Sequence, residues 1–81
     1  MANNEIFQNE QVTDDLIMGF LERSPYFWTD RRIVREFEIH YRKPFKDPRS
    51  LRKIYTSIAG LLNTGKIIYD DETGYRTATN G

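Results

Sequence analysis

Residues 46–67, "KDPRSLRKIYTSIAGLLNTGKI", carry a helix and its stop signal in one stretch. Asp47 is a good N-cap, and Pro48 falls at the first helical position, where a missing N–H costs nothing. At about 100° per residue, Leu51, Ile54, Tyr55, Ile58, Leu61 and Leu62 gather on one side. Arg49, Arg52, Lys53, Thr56, Gly60 and Asn63 gather on the other. Gly65 is the expected terminator, because glycine alone adopts the left-handed conformation cheaply. The apolar flank has to pack on the rest of the domain. The polar flank holds no acid from Arg49 to Asn63, which ordinary solvation does not require.

Downstream, "KIIYDDETGYRTAT" (66–79) places two β-prone runs, 66–69 and 75–78, around "DDETG". Asp and Gly suit a hairpin loop of three to five residues, with Gly74 supplying a positive φ. An isolated hairpin is marginal in water, so this one must lean on the helices. Upstream, "IHYRKPFK" (39–46) breaks the helical pattern, and Pro44 predicts a loop anchored by Tyr41 and Phe45. Before it, Thr29 or Asp30 caps a second helix. Ile33, Val34 and Phe37 form its buried stripe, and Arg31, Arg32, Arg35, Glu36 and Glu38 its outer face. "YFW" (26–28) reads as an extended linker or a brief strand.

Thr13 reads as the N-cap of a first helix, with Asp14 and Asp15 in its first turn. Leu16, Ile17, Phe20 and Leu21 supply its apolar spacing, and Pro25 ends it near Arg23–Ser24. The residues before Thr13 are polar and without period, so a flexible segment is expected at 1–12, with Ile6 and Phe7 docking on the domain. The folded domain spans 13–78, and 79–81 form a tail. The expected fold class is α+β: a three-helix bundle with a C-terminal two-stranded hairpin, and room for a short third strand at 26–28.

Bulk composition narrows the function. The chain has 81 residues, no cysteine and one histidine. Chains this short bury only about 60% of their unfolded surface, which leaves little room for an enclosed catalytic cavity. No disulfide and no cysteine-based zinc site is available. No apolar run approaches a membrane span, and "MANNEIFQNEQ" lacks the regions of a signal peptide, so a cytoplasmic protein without a membrane partner is expected. His40 reads as a structural or surface residue, and no ligand spacing suggests a metal. Asp70, Asp71 and Glu72 do not alternate as calcium ligands do and read as a solvated turn. There is no glycine-rich phosphate loop. Neither an enzyme nor a cofactor is expected.

The net charge is zero, but its distribution is uneven. Residues 1–22 hold five acids and no Lys or Arg. Residues 23–66 hold eleven Lys/Arg against Asp30, Glu36, Glu38 and Asp47. Residues 67–81 hold Asp70, Asp71 and Glu72 against Arg76. A basic middle segment keeps nucleic-acid binding open where a neutral total would argue against it.

The order helix, extended piece, helix, helix, hairpin, joined by "LLNTGKIIY", resembles the winged helix-turn-helix family. Leu61, Gly65, Lys66 and Ile67 match the junction by which members pass from a third helix into two strands, and "WTDRRIVREF" is similar to their capped second helix. The resemblance covers 13–78. It implies that helix 47–63 is a recognition helix entering the major groove of double-stranded DNA, with its N-terminal half facing the bases. Arg49, Ser50, Arg52, Lys53 and Thr56 are then the base-side candidates, since Arg and Lys reach guanine edges or phosphates and Ser and Thr bond to either. Arg31, Arg32, Arg35, Arg42, Lys43 and Lys46 suit phosphate positioning.

The connection between Phe37 and Pro48 is longer than the tight turn of simple helix-turn-helix units. The acidic hairpin tip would repel phosphates. The aromatics Trp28, Phe37 and Tyr55 are expected in the core. A transcriptional regulator is the first functional reading, acting as a homodimer through the N-terminal helix or as a weak monomer. The second is a protein-interaction module on the same fold, such as a phage or mobile-element protein that binds a host factor. RNA binding, or a small enzyme, lies well behind both.

Overall fold

A computed structural model describes residues 10–24 and 26–78. The chain forms α1 (Glu10–Arg23), α2 (Asp30–Tyr41), α3 (Pro48–Asn63), β1 (Ile67–Asp70) and β2 (Gly74–Thr77). Three helices followed by an antiparallel hairpin give an α+β layout consistent with a winged helix. The expectations for Ile6, Phe7 and the 79–81 tail lie outside the described residues.

α1 starts earlier than its capping signals suggest. Thr13 is not an N-cap: it sits inside the helix, fully buried, on the same face as Ile17, Phe20 and Leu21. Residues 10–12, expected in a flexible segment, belong to this helix. Tertiary burial at one-turn spacing outweighs a local capping preference. The helix ends at Arg23, where Pro25 predicts it.

α2 is capped by Thr29, whose Oγ1 accepts the Arg32 N–H at 3.1 Å. Ile33 and Phe37 are buried, with Val34 packed beside them. The helix runs through Ile39, His40 and Tyr41, past the point where the pattern breaks, and stops at Arg42 with φ 60° and ψ 42°. The backbone N–H groups of Arg42 and Lys43 both donate to the Glu38 carbonyl, and the Phe45 N–H donates to Glu38 Oε2 at 2.9 Å. One glutamate thus holds both the helix end and the connection to α3. Phe45 is buried and Tyr41 half-buried, as their anchor roles require.

Left-handed geometry costs an L-residue about 1 kcal/mol, and glycine escapes it. Arg42→Gly is therefore expected to raise the urea midpoint, stabilising the fold by up to about 1 kcal/mol at unchanged m-value. A lowered midpoint would show that the Arg42 side chain holds the connection in place.

α3 follows its signals closely. Asp47 Oδ2 accepts the Ser50 N–H at 3.0 Å, and Pro48 opens the helix. At the other end, the Gly65 N–H donates to the Leu62 carbonyl and the Lys66 N–H to the Leu61 carbonyl. Gly65 has φ 76°. This is the paired-bond helix stop that a left-handed glycine allows. Ile54, Ser57, Ile58 and Leu61 are buried. Tyr55, expected in the core, is instead 43% exposed. It lies at the margin of the apolar arc, about 20° beyond Leu62 at helical spacing. The hydroxyls of Thr13 and Ser57 are buried without a hydrogen-bond partner among the described residues.

The hairpin pairs Ile67 with Thr77, Ile68 with Arg76, Tyr69 with Tyr75 and Asp70 with Gly74. Residues 71–73 form its loop. Asp70 Oδ1 accepts the Glu72 N–H at 2.7 Å, and Gly74 has φ 75°. The third strand expected at 26–28 reduces to one bridge, Trp28 to Gly74. The Trp28 N–H donates to the Thr73 carbonyl at 3.2 Å, and its carbonyl accepts the Tyr75 N–H at 2.8 Å. Tyr26 and Phe27 are exposed, whereas the Trp28 indole is buried and donates to the Ser24 carbonyl at 2.9 Å. Trp28 therefore joins the hairpin to the helical core.

Candidate nucleic-acid interface

The face of α3 opposite the core is the most distinctive surface. Arg49, Arg52, Thr56, Gly60 and Asn63 are exposed, and Lys53 is half-buried. Among the described residues, none of Arg49, Arg52 and Lys53 takes part in an ion pair. Ser50 is less free: its hydroxyl donates to Asp47 Oδ2 at 2.8 Å, so it completes the helix cap. The hydrogen bonds from the Ser50 side chain and backbone hold the Asp47 carboxyl below its ordinary range, with Arg49 adding a smaller contribution. An ionised Asp47 at the start of α3 suits the positive end of the helix dipole.

The other basic candidates divide into two groups. Arg42, Lys43 and Lys46 are exposed on the connection leading into α3. Arg31 and Arg35 are exposed one turn apart on the outer face of α2, and Arg35 approaches Glu38 at 3.8 Å. Arg32 is not arranged like them. Its guanidinium lies 4.0 Å over the Tyr26 ring and 5.8 Å from Trp28, and it pairs with Glu36 at 3.6 Å. Such stacking uses the Arg32 charge inside the domain.

Sequence reasoning assigned Tyr55 to the core, and so did not count it at this interface. Arithmetic could have found it. At about 100° per residue it lies about 60° from Arg52 and about 40° from Ala59. Both of those neighbours are exposed.

Beside α2, an open depression of about 320 Å³ is lined by Thr29, Asp30, Tyr69 and Tyr75. The Tyr75 hydroxyl lies near the Asp30 carboxyl, and the Tyr69 and Tyr75 rings meet edge to face at 5.0 Å. Burial foremost, then the nearby Asp30 carboxylate, pushes Tyr75 up to about 12. Burial also raises Tyr41. A raised phenol favours its neutral form in the folded state. Its contribution is complete below the ordinary tyrosine value of 10.0 and is lost as pH rises from there towards 12. Stability should therefore fall across that window, and Tyr75→Phe should flatten the fall. Denaturant midpoints measured along an alkaline series check this. An identical fall in wild type and variant would assign it elsewhere.

Among the described residues, no group of three or more His, Asp and Glu is placed to hold a metal ion. No described helix is long and apolar enough to cross a membrane. No protein-family model matches the chain, and no curated protein or solved structure was found to be significantly similar. The functional reading therefore rests on the fold and the surface of α3.

Proposed function

We propose that the chain is a winged helix-turn-helix protein that binds double-stranded DNA by laying α3 in the major groove, as a transcriptional regulator would. One observation carries this: the helix face opposite the core holds exposed Arg49 and Arg52 and half-buried Lys53, with neither an acid nor an ion pair among the described residues. Arg49, Arg52, Lys53 and Thr56 read base edges or clamp the adjacent phosphates, and Arg31, Arg35, Arg42, Lys43 and Lys46 contribute positioning charge. Titration of duplex DNA at several salt concentrations tests the reading. Engagement of about six phosphates gives a slope near −5 in log K against log salt. No binding even at low salt would remove the proposal.

A protein-interaction module remains the second reading, favoured by the hairpin. Asp71 and Glu72 are exposed at its tip, and Ile68 and Tyr69 are exposed on β1. That surface suits a protein partner better than a phosphate backbone.

A further inference from the structure

We propose that Tyr55 is a sequence-reading residue of the duplex interface, its ring packing on the C5 methyl of a thymine in the major groove. The inference rests on the duplex-binding reading of α3. Single exposed aromatics are ordinary on protein surfaces. Tyr55 is distinguished by its surroundings. It is an aromatic on a helix whose other large apolar residues are buried or half-buried, and it is 43% exposed. Among the described residues its ring has no aromatic or cationic partner and its hydroxyl no hydrogen bond. Arg52 precedes it by three positions, and exposed Ala59 follows one turn later.

Ala59 presents only a methyl, so along the helix the ring stands between a cation one turn before it and a short side chain one turn after it. A thymine presents an apolar methyl in the major groove, and the phosphate of the same strand lies within reach of an arginine or a phenol. An apolar ring beside a cation matches that pair of features.

The test begins by enriching a random duplex library on the full chain and taking the tightest duplex. Its thymines are then replaced one at a time by uracil, which removes only the C5 methyl. At one thymine the wild type is expected to lose about fourfold in affinity, the value of one buried methyl. Tyr55→Ala and Tyr55→Gln should bind the parent duplex more weakly and ignore that replacement, while Tyr55→Phe keeps the discrimination. The salt slope should stay at the wild-type value in all three variants, since none removes a charge. If wild type tolerates uracil at every position, or if Tyr55→Ala retains both affinity and discrimination, the proposal is overturned while duplex binding stands. If no duplex binds at low salt, the α3 reading itself fails and takes this inference with it.

Discussion

Gly74→Ala is expected to cost at least about 3 kcal/mol, a large fraction of the whole stability of a domain of this size. A Cβ at Gly74 would sit 2.1 Å from the Trp28 carbonyl oxygen and 2.8 Å from both its carbonyl carbon and its nitrogen. These are backbone atoms, so no side-chain rotation relieves the overlap. The Trp28 segment would have to retreat. That breaks the bonds to Thr73 and Tyr75, each contributing about 1 kcal/mol, and unseats a buried indole. The positive φ adds about 1 kcal/mol more.

Gly65→Ala separates the two causes. Gly65 has φ 76°, nearly the same as Gly74, but an added Cβ there meets nothing within 4 Å. It should cost only about 1 kcal/mol, the conformational part alone. Thermal melts followed by circular dichroism would compare the pair. Equal losses would mean that Trp28 does not press on the hairpin as described.

The same two glycines show what was legible in the sequence. Both stand where a chain reversal or helix stop demands a left-handed residue, and local pattern alone finds such positions. The approach of Trp28 to Gly74 joins residues far apart in the chain, and no window of sequence encodes it. Thr13 was misread for a related reason. "TDDL" has the composition of a helix start, but Thr13 lies one turn before Ile17 on a face that the domain buries. The extension of α2 through Tyr41 has a similar origin. Phe37 and Tyr41 stack with ring centroids 6.5 Å apart, and Phe45 stacks on both.

At the candidate interface, the cationic face of α3 follows from spacing alone, because helical periodicity fixes which residues oppose the core. The fate of each cation does not. Arg32 and Arg35 look alike in sequence, yet Arg32 alone stacks on Tyr26, a residue placed by the Trp28 bridge. Tyr55 is the converse case. Its type says core, its angle says margin, and exposure follows the angle.

Arg52→Ala with Lys53→Ala is expected to weaken duplex binding about thirtyfold or more while leaving the fold intact. Each arginine or lysine engaged with a base edge or phosphate contributes about 1–3 kcal/mol, so two losses exceed most single substitutions. If both engage phosphates, the magnitude of the salt slope should fall by about 2. Stability should hold within about 0.5 kcal/mol, since alanine is the best helix former and neither cation makes an ion pair among the described residues.

Arg32→Ala is the counterpart. It removes the stack on Tyr26 and the pair with Glu36, so it should lower the melting temperature and change the salt slope little. Asp71→Asn with Glu72→Gln completes the comparison. For a DNA-binding protein, neutralising the hairpin tip lightens repulsion from phosphates and leaves binding equal or tighter. For a protein-docking module, the same pair of changes abolishes function while the Arg52/Lys53 variant remains active. That reversed order of sensitivity would move the working surface from α3 to the hairpin and overturn the reading of the cationic face.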